Sequence, residues 1–299
     1  MTRVAMLALS TCLGLATAAQ AETISVRTFP GPVEVETMPE TTFVYDMAAL
    51  DTLDALGVPG LTAISDTYLP YLSDYAGDIG TLFEPDFEAI NAAQPELVIL
   101  GGRSQPHLED VQRIVPAIDM TIWGDDIIGQ GLERLQAYGR IWGLEDEAAA
   151  LHQQVEDAIA AATRAAEGKG DALIVLTNGP KVSVYGRGSR FGWLHDLTGL
   201  EEAAGDLTAE THGEAVSFEY LREIDPDWLL VIDRMAAIGG EGPNARATLD
   251  NALMHETKAW QSDQVIYLDA GPLYIAGGGI QSTLQTLETL RSALAAGGD

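Results

Sequence analysis

The sequence predicts an α/β protein of two Rossmann-like lobes, each with a mainly parallel sheet, joined by one long helix and enclosing a ligand cleft between them. Three observations predict it. Short apolar runs alternate with stretches of helical spacing from Phe43 onward, the order that yields parallel strands covered by helices. The mid-chain stretch Glu145 to Ala166 holds no Gly or Pro, is rich in strong helix formers and is followed by Gly168. A motif of the first half returns in the second at a constant offset of 131 residues.

Taken in order, residues 1–21 combine a basic residue (Arg3), an apolar run from Val4 to about Ala18, and Ala19-Gln20-Ala21 as a small-x-small cleavage site. This predicts an export signal and a mature chain starting near Glu22. Cys12, the sole cysteine, sits in a loose resemblance to a lipoprotein box, but Thr11 before it and the short apolar run argue against a lipid anchor. With the signal removed, disulfides, thiolate metal sites and Cys nucleophiles are excluded. Thr23 to Thr28 and Val33 to Glu36 alternate around Pro30-Gly31 and predict a strand, turn and strand. Further strands are expected at Phe43 to Tyr45, Leu97 to Leu100, Leu173 to Leu176, Leu229 to Ile232 and Val265 to Leu268. The lobes are drawn at 22–144 and 169–299, with 145–168 as a helix that is either an ordinary surface helix or a rigid connector.

The repeat favours the connector. Phe87-Glu88-x-Ile90 followed by Pro95-Glu96 matches Phe218-Glu219-x-Leu221 followed by Pro226-Asp227, each a helix ending at a Pro-acidic turn that feeds a buried strand. The same offset sets Arg103 opposite Arg234. Both fall past strand carboxyl ends, where ligands bind in open α/β sheets. Two such lobes predict a cleft with a cation on each wall.

Composition narrows the partners. With 16 Lys+Arg against 45 Asp+Glu, the formal charge of −29 repels phosphate backbones and anionic lipid heads, so nucleic acid is excluded. In so acidic a chain, each cation at a strand end or loop is worth weighing. Arg187 and Arg190 lie in a Gly-rich loop after Tyr185 and before the helical pattern Trp193 to Leu197, where free N–H groups and a helix dipole suit an anion. A solvated loop arginine is the plainer reading of either one alone. Arg103, Arg190 and Arg234 together fit carboxylate or catecholate oxygens, which a guanidinium fork grips in pairs. Tyr274, after the last strand, and His212, ahead of the second repeat, are either packed residues or donors able to complete an Fe(III) shell. The remaining histidines show no HxH or HExxH spacing, and GxSxG, P-loop and GxGxxG patterns are missing. No nucleophile, base and orienter set is visible, so an enzyme is not expected.

The motifs GGR (Gly101 to Arg103), GSRFG (Gly188 to Gly192), THG (Thr211 to Gly213), DR (Asp233, Arg234), LDNAL (Leu249 to Leu253) and LYIAGGG (Leu273 to Gly279) resemble those of the periplasmic iron-siderophore-binding proteins of ABC importers. These are the solute-binding proteins with a helical backbone, and the likeness, to the catecholate branch, runs from about Phe43 to Ala295. The resemblance implies three cleft arginines, at Arg103, Arg190 and Arg234, around an anionic ferric complex, with Tyr185 and Arg187 beside them. It implies His212 and Tyr274 as iron ligands for a tetradentate complex, and no intrinsic cofactor. It also implies a monomer in the periplasm that docks a permease dimer through Glu88 and Glu219. Haem or a corrinoid is the alternative ligand, since fold alone does not fix function.

Overall fold

The computed structural model describes residues 22–205, 207 and 213–297. The expected export signal and Cys12 lie outside the described residues, as does His212. The first alternating pair forms an antiparallel hairpin, β1 (Thr23–Arg27) and β2 (Pro32–Glu36), whose buried Val26 and Val35 press onto the first lobe. That lobe is a four-stranded parallel sheet of β3 (Thr42–Val44), β4 (Leu61–Ala63), β5 (Leu97–Leu100) and β6 (Ala117–Asp119) in the order β4-β3-β5-β6. Its helices are α1 (Met47–Ala55), α2 (Phe87–Ala93) and α3 (Leu108–Gln112), followed by α4 (Ile127–Trp142). All of Leu97 to Leu100 is buried, as a strand covered on both faces requires.

The connecting helix α5 runs Glu145–Ala166, about 33 Å long at 1.5 Å per residue. Three acids occupy its first turn and Arg164 its last, the arrangement its dipole favours. Ala148, Val155, Ala162 and Ala166 form a narrow buried stripe that lets α4 approach, and the C-terminal helix also packs on α5.

The second sheet contains β7 (Asp171–Asn178), β8 (Lys181–Tyr185), β9 (Glu201–Glu202), β10 (Glu214–Val216), β11 (Trp228–Asp233) and β12 (Val265–Leu268). Its order is β10-β8-β7-β11-β12, with β9 on β7. β7, β11 and β12 are parallel, whereas β8 runs antiparallel to both its neighbours, β7 and β10, so this lobe departs from the parallel pattern at one edge. Helices α6 (Trp193–Thr198), α7 (Phe218–Ile224), α8 (Arg234–Ala237), α9 (Ala245–Leu249) and α10 (Lys258–Gln261) connect the strands, and α11 (Ile280–Ala296) ends the fold.

The sequence repeat is a structural one. Asp86 caps α2 through the N–H groups of Glu88 and Ala89, and Ser217 caps α7 through that of Tyr220. Each helix ends on a left-handed residue, Gln94 (φ 47°) and Asp225 (φ 51°), whose N–H returns to Ile90 and Leu221 carbonyls. The prolines that follow cannot extend the helix, so the chain turns into β5 and β11 and delivers Arg103 and Arg234 past their carboxyl ends.

A second tie joins the lobes. Gly279, at the start of α11, has no side chain to cap that helix, and Asp51 of α1 supplies the cap from the other lobe. Its buried carboxylate accepts from the Gln281 N–H (2.7 Å), the Ser282 N–H (3.0 Å), the Ser282 hydroxyl (2.8 Å) and the Tyr71 hydroxyl (2.5 Å). A Cβ at Gly279 would stand 2.6 Å from Asp51 Oδ1, so the glycine run of LYIAGGG is a site of close approach between lobes.

Burial pushes the Asp51 carboxyl from its ordinary 3.8 to about 6, against the hydrogen bonds that pull it down. The fold therefore prefers the protonated acid: this contribution to stability is full below the unfolded value and is lost as pH rises through about 6. Asp51→Asn, which does not titrate, should gain stability relative to the wild type by up to about 3 kcal/mol between pH ~4 and pH ~7, read from paired denaturant melts. A difference that stays constant across that range would show Asp51 ionised throughout.

Candidate functional site

Tyr274 is carried by a π-helical turn, Gly271–Ile275, directly after β12. Such turns are rare and concentrate at functional sites. Three guanidinium carbons surround its ring, those of Arg190, Arg234 and Arg103 at 4.7, 5.6 and 5.8 Å from the centroid. Arg103 leaves a turn in which the Ser104 and Gln105 N–H groups bond the Gly101 carbonyl. It donates to the Tyr274 carbonyl at 2.8 Å and that of Ile275 at 3.3 Å. Arg190 donates to the same Tyr274 carbonyl at 3.2 Å and lies over the Phe191 ring. Arg234, at the start of α8, donates to the Tyr274 hydroxyl at 2.9 Å and to Asn178 Oδ1 at 3.2 Å. Its orientation is held by Asp233, whose carboxylate caps α8 and accepts from the Ala245 N–H.

None of the three forms an ion pair with a carboxylate among the described residues. Burial lowers the pKa of Arg190, and the positive charge of Arg103 lowers it further. Tyr185 is raised by burial, against the attraction of Arg190 for its phenolate, and packs edge-on against Phe191 with centroids 4.8 Å apart. Three cations held on a carbonyl, a ring and a hydroxyl form a site short of negative charge.

Two cavities meet at this cluster. One, of about 670 Å³, is lined by Asn178, Lys181, Tyr185, Arg190, Ser217, Arg234 and Tyr274, with Glu219 at its wall. The other, of about 260 Å³, lies between the lobes, with Asp46, Arg103, Ile122, Trp123 and Ile127 on one wall and Arg190, Trp193, Leu273 and Tyr274 on the other. A larger hollow of about 1010 Å³ opens elsewhere, beside β2, but Glu34, Glu36, Glu40 and Glu96 line it with no Lys or Arg. Its charge makes it a poor place for an anion, and the arginine cluster is the candidate site.

The structure thus brings Arg103, Arg190, Arg234, Tyr185 and Tyr274 together. Arg187 goes elsewhere: its guanidinium pairs with the Asp196 carboxylate and donates to the Leu200 carbonyl at 3.1 Å, and it lines neither cavity of the site. The reason is the tight turn Gly186 to Ser189, which sends Arg187 outward and Arg190 inward. His212 is outside the described residues; its neighbour Gly213 packs against the Tyr185 ring. Glu88 and Glu219 are exposed in the first turns of α2 and α7, and Glu219 is lowered in pKa by its own backbone N–H and by Ser217. Among the described residues, no group of three or more His, Cys, Asp or Glu is placed to hold a metal ion. No helix among them is long and apolar enough to cross a membrane. Sequence reasoning missed Asp46, Trp123, Asn178 and Lys181; the signal for Trp123 is an aromatic followed by Gly124 in the loop past a strand's carboxyl end.

Residues 44–272 match the periplasmic binding protein family model. The petrobactin-binding protein YclQ of Bacillus subtilis (strain 168) is 32% identical over 263 residues, 86% of this chain and 83% of YclQ. Its crystal structure superposes with a TM-score of 0.83 at 30% identity, covering 91% of this chain and 99% of that one. The ferric-anguibactin-binding protein FatB of Vibrio anguillarum (strain ATCC 68554 / 775) is 28% identical over 264 residues, 84% of this chain and 81% of FatB. The periplasmic catecholate-siderophore binding protein VctP of Vibrio cholerae superposes at a TM-score of 0.83 with 28% identity, covering 91% of this chain and all of that one, 100%. This chain belongs to the periplasmic binding protein family.

Converting Arg103, Arg190 or Arg234 singly to Ala should weaken binding of an anionic ferric chelate by about 1.5 to 3 kcal/mol each, the worth of a hydrogen bond to a charged group. Tryptophan fluorescence titration measures it, and wild-type affinity in all three variants would remove the cluster from the site.

Proposed function

We propose that the chain captures a ferric siderophore of catecholate type in the periplasm and delivers it to an ABC permease, with no catalytic step. The observation that carries this reading is the convergence of Arg103, Arg190 and Arg234 on Tyr274 without a carboxylate partner. The ligands named for YclQ, FatB and VctP support it. A bis-catecholate complex of Fe(III) has a net charge of about −1 and a tris-catecholate about −3, and either replaces the water its oxygens lose with guanidinium N–H donors. The arginines are already in place, so little side-chain entropy remains to be lost on binding. Ligand oxygens take over as acceptors from the Tyr274 carbonyl, and the Tyr274 hydroxyl, released by Arg234, is at hand for the metal.

A tetradentate ligand leaves two iron positions empty, and His212 and Tyr274 are the residues we assign to them. Tyr274→Phe should therefore abolish or shift the phenolate-to-iron charge-transfer band of a tetradentate complex while a hexadentate complex keeps its spectrum. An unchanged tetradentate spectrum would return Tyr274 to a packing role.

The docking partner is assigned through Glu88 and Glu219, one exposed carboxylate per lobe at equivalent first-turn positions. Asp86 and Ser217 cap the two helices, and the bond that Glu219 adds from its own N–H lies at an exposed position where its loss matters little. The double variant Glu88→Ala, Glu219→Ala should keep its melting temperature and still bind the chelate yet lose uptake through the cognate transporter. Normal uptake would dismiss the pair as docking posts.

A further inference from the structure

Large apolar side chains on the surface are shared unevenly between the lobes. Among the described residues the exposed ones are Phe29, Met38, Tyr71, Phe83 and Trp123, all in the first lobe. One such side chain is ordinary on a soluble protein, whereas their gathering on one lobe asks for a cause. Tyr71 spends its hydroxyl on Asp51, and Met38 is held at the far end of the lobe, its N–H on the Ile141 carbonyl near the end of α4. That leaves Phe29, Phe83 and Trp123, which are 48, 56 and 58% exposed.

All three stand at the sheet end that carries Arg103. Trp123 lies in the loop past the carboxyl end of β6. Phe29, in the turn between β1 and β2, donates its N–H to the carbonyl of Asp119, the last residue of β6, at 2.9 Å. Phe83 ends the long connection from β4 and leads into α2, which turns at once into β5 and so begins near the carboxyl ends of the strands, with Glu88 in its first turn. β4 and β6 are the two edges of this sheet, about 14 Å apart at ~4.8 Å per strand, so the rings span the rim of the lobe.

Each ring is held out by a hydrogen-bonded turn. Thr28 and Gly31 exchange N–H to carbonyl bonds of 2.9 and 3.2 Å around Phe29. The Thr81 hydroxyl accepts from the N–H groups of Phe83 and Glu84 at 3.3 and 3.1 Å. Gln130 of α4 accepts from the Trp123 N–H at 3.1 Å and donates to its carbonyl at 2.6 Å. Rings ordered in advance lose little entropy when a partner covers them, which is the property of interface anchors. The charge around them narrows the partner. From Thr28 to Gly102 the chain has no Lys or Arg, and the exposed Glu84, Glu88, Asp125 and Asp126 stand beside Phe83 and Trp123 in sequence. An anionic bilayer, which also takes aromatic rings, is repelled by such a set, whereas a protein surface with apolar sockets bordered by Arg or Lys is attracted.

Resting on the permease-docking reading, we propose that Phe29, Phe83 and Trp123 are apolar anchors by which the first lobe seats in basic-rimmed sockets of the permease. The two lobes then dock unequally. The first is gripped by buried rings around Glu88, and the second, which exposes no large apolar side chain among the described residues, is held through the charge of Glu219.

The test measures co-sedimentation of the protein with proteoliposomes carrying the cognate permease and with empty liposomes of the same anionic lipid, while tryptophan fluorescence follows chelate binding. Trp123 is left unaltered because it also lines the interlobe cavity. Phe29→Ser and Phe83→Ser should each weaken binding to the permease about 10-fold with melting temperature and chelate affinity unchanged, and Phe83→Tyr, which keeps a ring, should bind like the wild type. Wild-type binding by the double Ser variant overturns the inference and leaves Glu88 and Glu219 as docking posts. Equal binding of the wild type to empty liposomes also overturns it and assigns the rings to lipid. A matching loss of chelate affinity in the Ser variants overturns it in favour of a role in ligand capture. If the wild type does not bind the permease at all, the docking reading falls, and this inference with it.

Discussion

Three guanidinium groups within 6 Å of one tyrosine ring repel each other, and partial burial strips away the water that would screen them. The unliganded protein limits the cost by spending their donors on two carbonyls, a hydroxyl and an amide oxygen, and their faces on aromatic rings. Neutral acceptors of this kind hold geometry but do not cancel charge. The cleft therefore keeps a demand for an anion, and much of the surrounding structure serves to stop the arginines from relaxing away from one another.

That restraint comes from the frame. Two of the arginines ride just past strands whose starting points are set by the left-handed Gln94 and Asp225 and the prolines behind them. The third hangs from the turn Gly186 to Ser189, and the π-helical turn presents Tyr274 to all of them. Because the arginines belong to both lobes, their convergence requires the lobes to hold a fixed relation. Two ties provide it: α5, whose bending would break backbone hydrogen bonds, and the Asp51 cap on α11. A frame tied twice opposes the wide hinge opening available to two lobes joined by flexible strands.

The legible parts of this molecule are those where local pattern and tertiary role coincide. The buried strand Leu97–Leu100, the half-buried strand Val265–Leu268 and the helix Glu145–Ala166 have the bounds read from sequence, because continuous apolar runs and uninterrupted helix formers need no context. Two- and three-residue strands such as β4, β6 and β9 carry too few residues to show a period, and their pairing is imposed by neighbours. β8 is different: Lys181-Val182-Ser183-Val184-Tyr185 alternates after Gly179-Pro180, a hairpin signature that an expectation of parallel strands passes over. At the site, the repeat gives Arg103 and Arg234, but nothing in one sequence distinguishes Arg187 from Arg190, since a single turn decides which points inward. Asp51 reads in sequence as an ordinary polar residue inside α1, and only the start of α11, brought against it by the fold, makes it a cap.

The contrast between an acidic exterior and a cationic cleft shapes which complexes succeed. A formal charge of −29 places an anionic chelate in a repulsive field on approach, but at physiological salt that field decays over about 8 Å, whereas the arginines act at contact. Attraction therefore depends on fit: a complex gains the cations only once its oxygens lie among them and its water has left. Poorly shaped anions bear the desolvation cost without the hydrogen bonds that offset it, so discrimination rests on the geometry of the chelate more than on its charge.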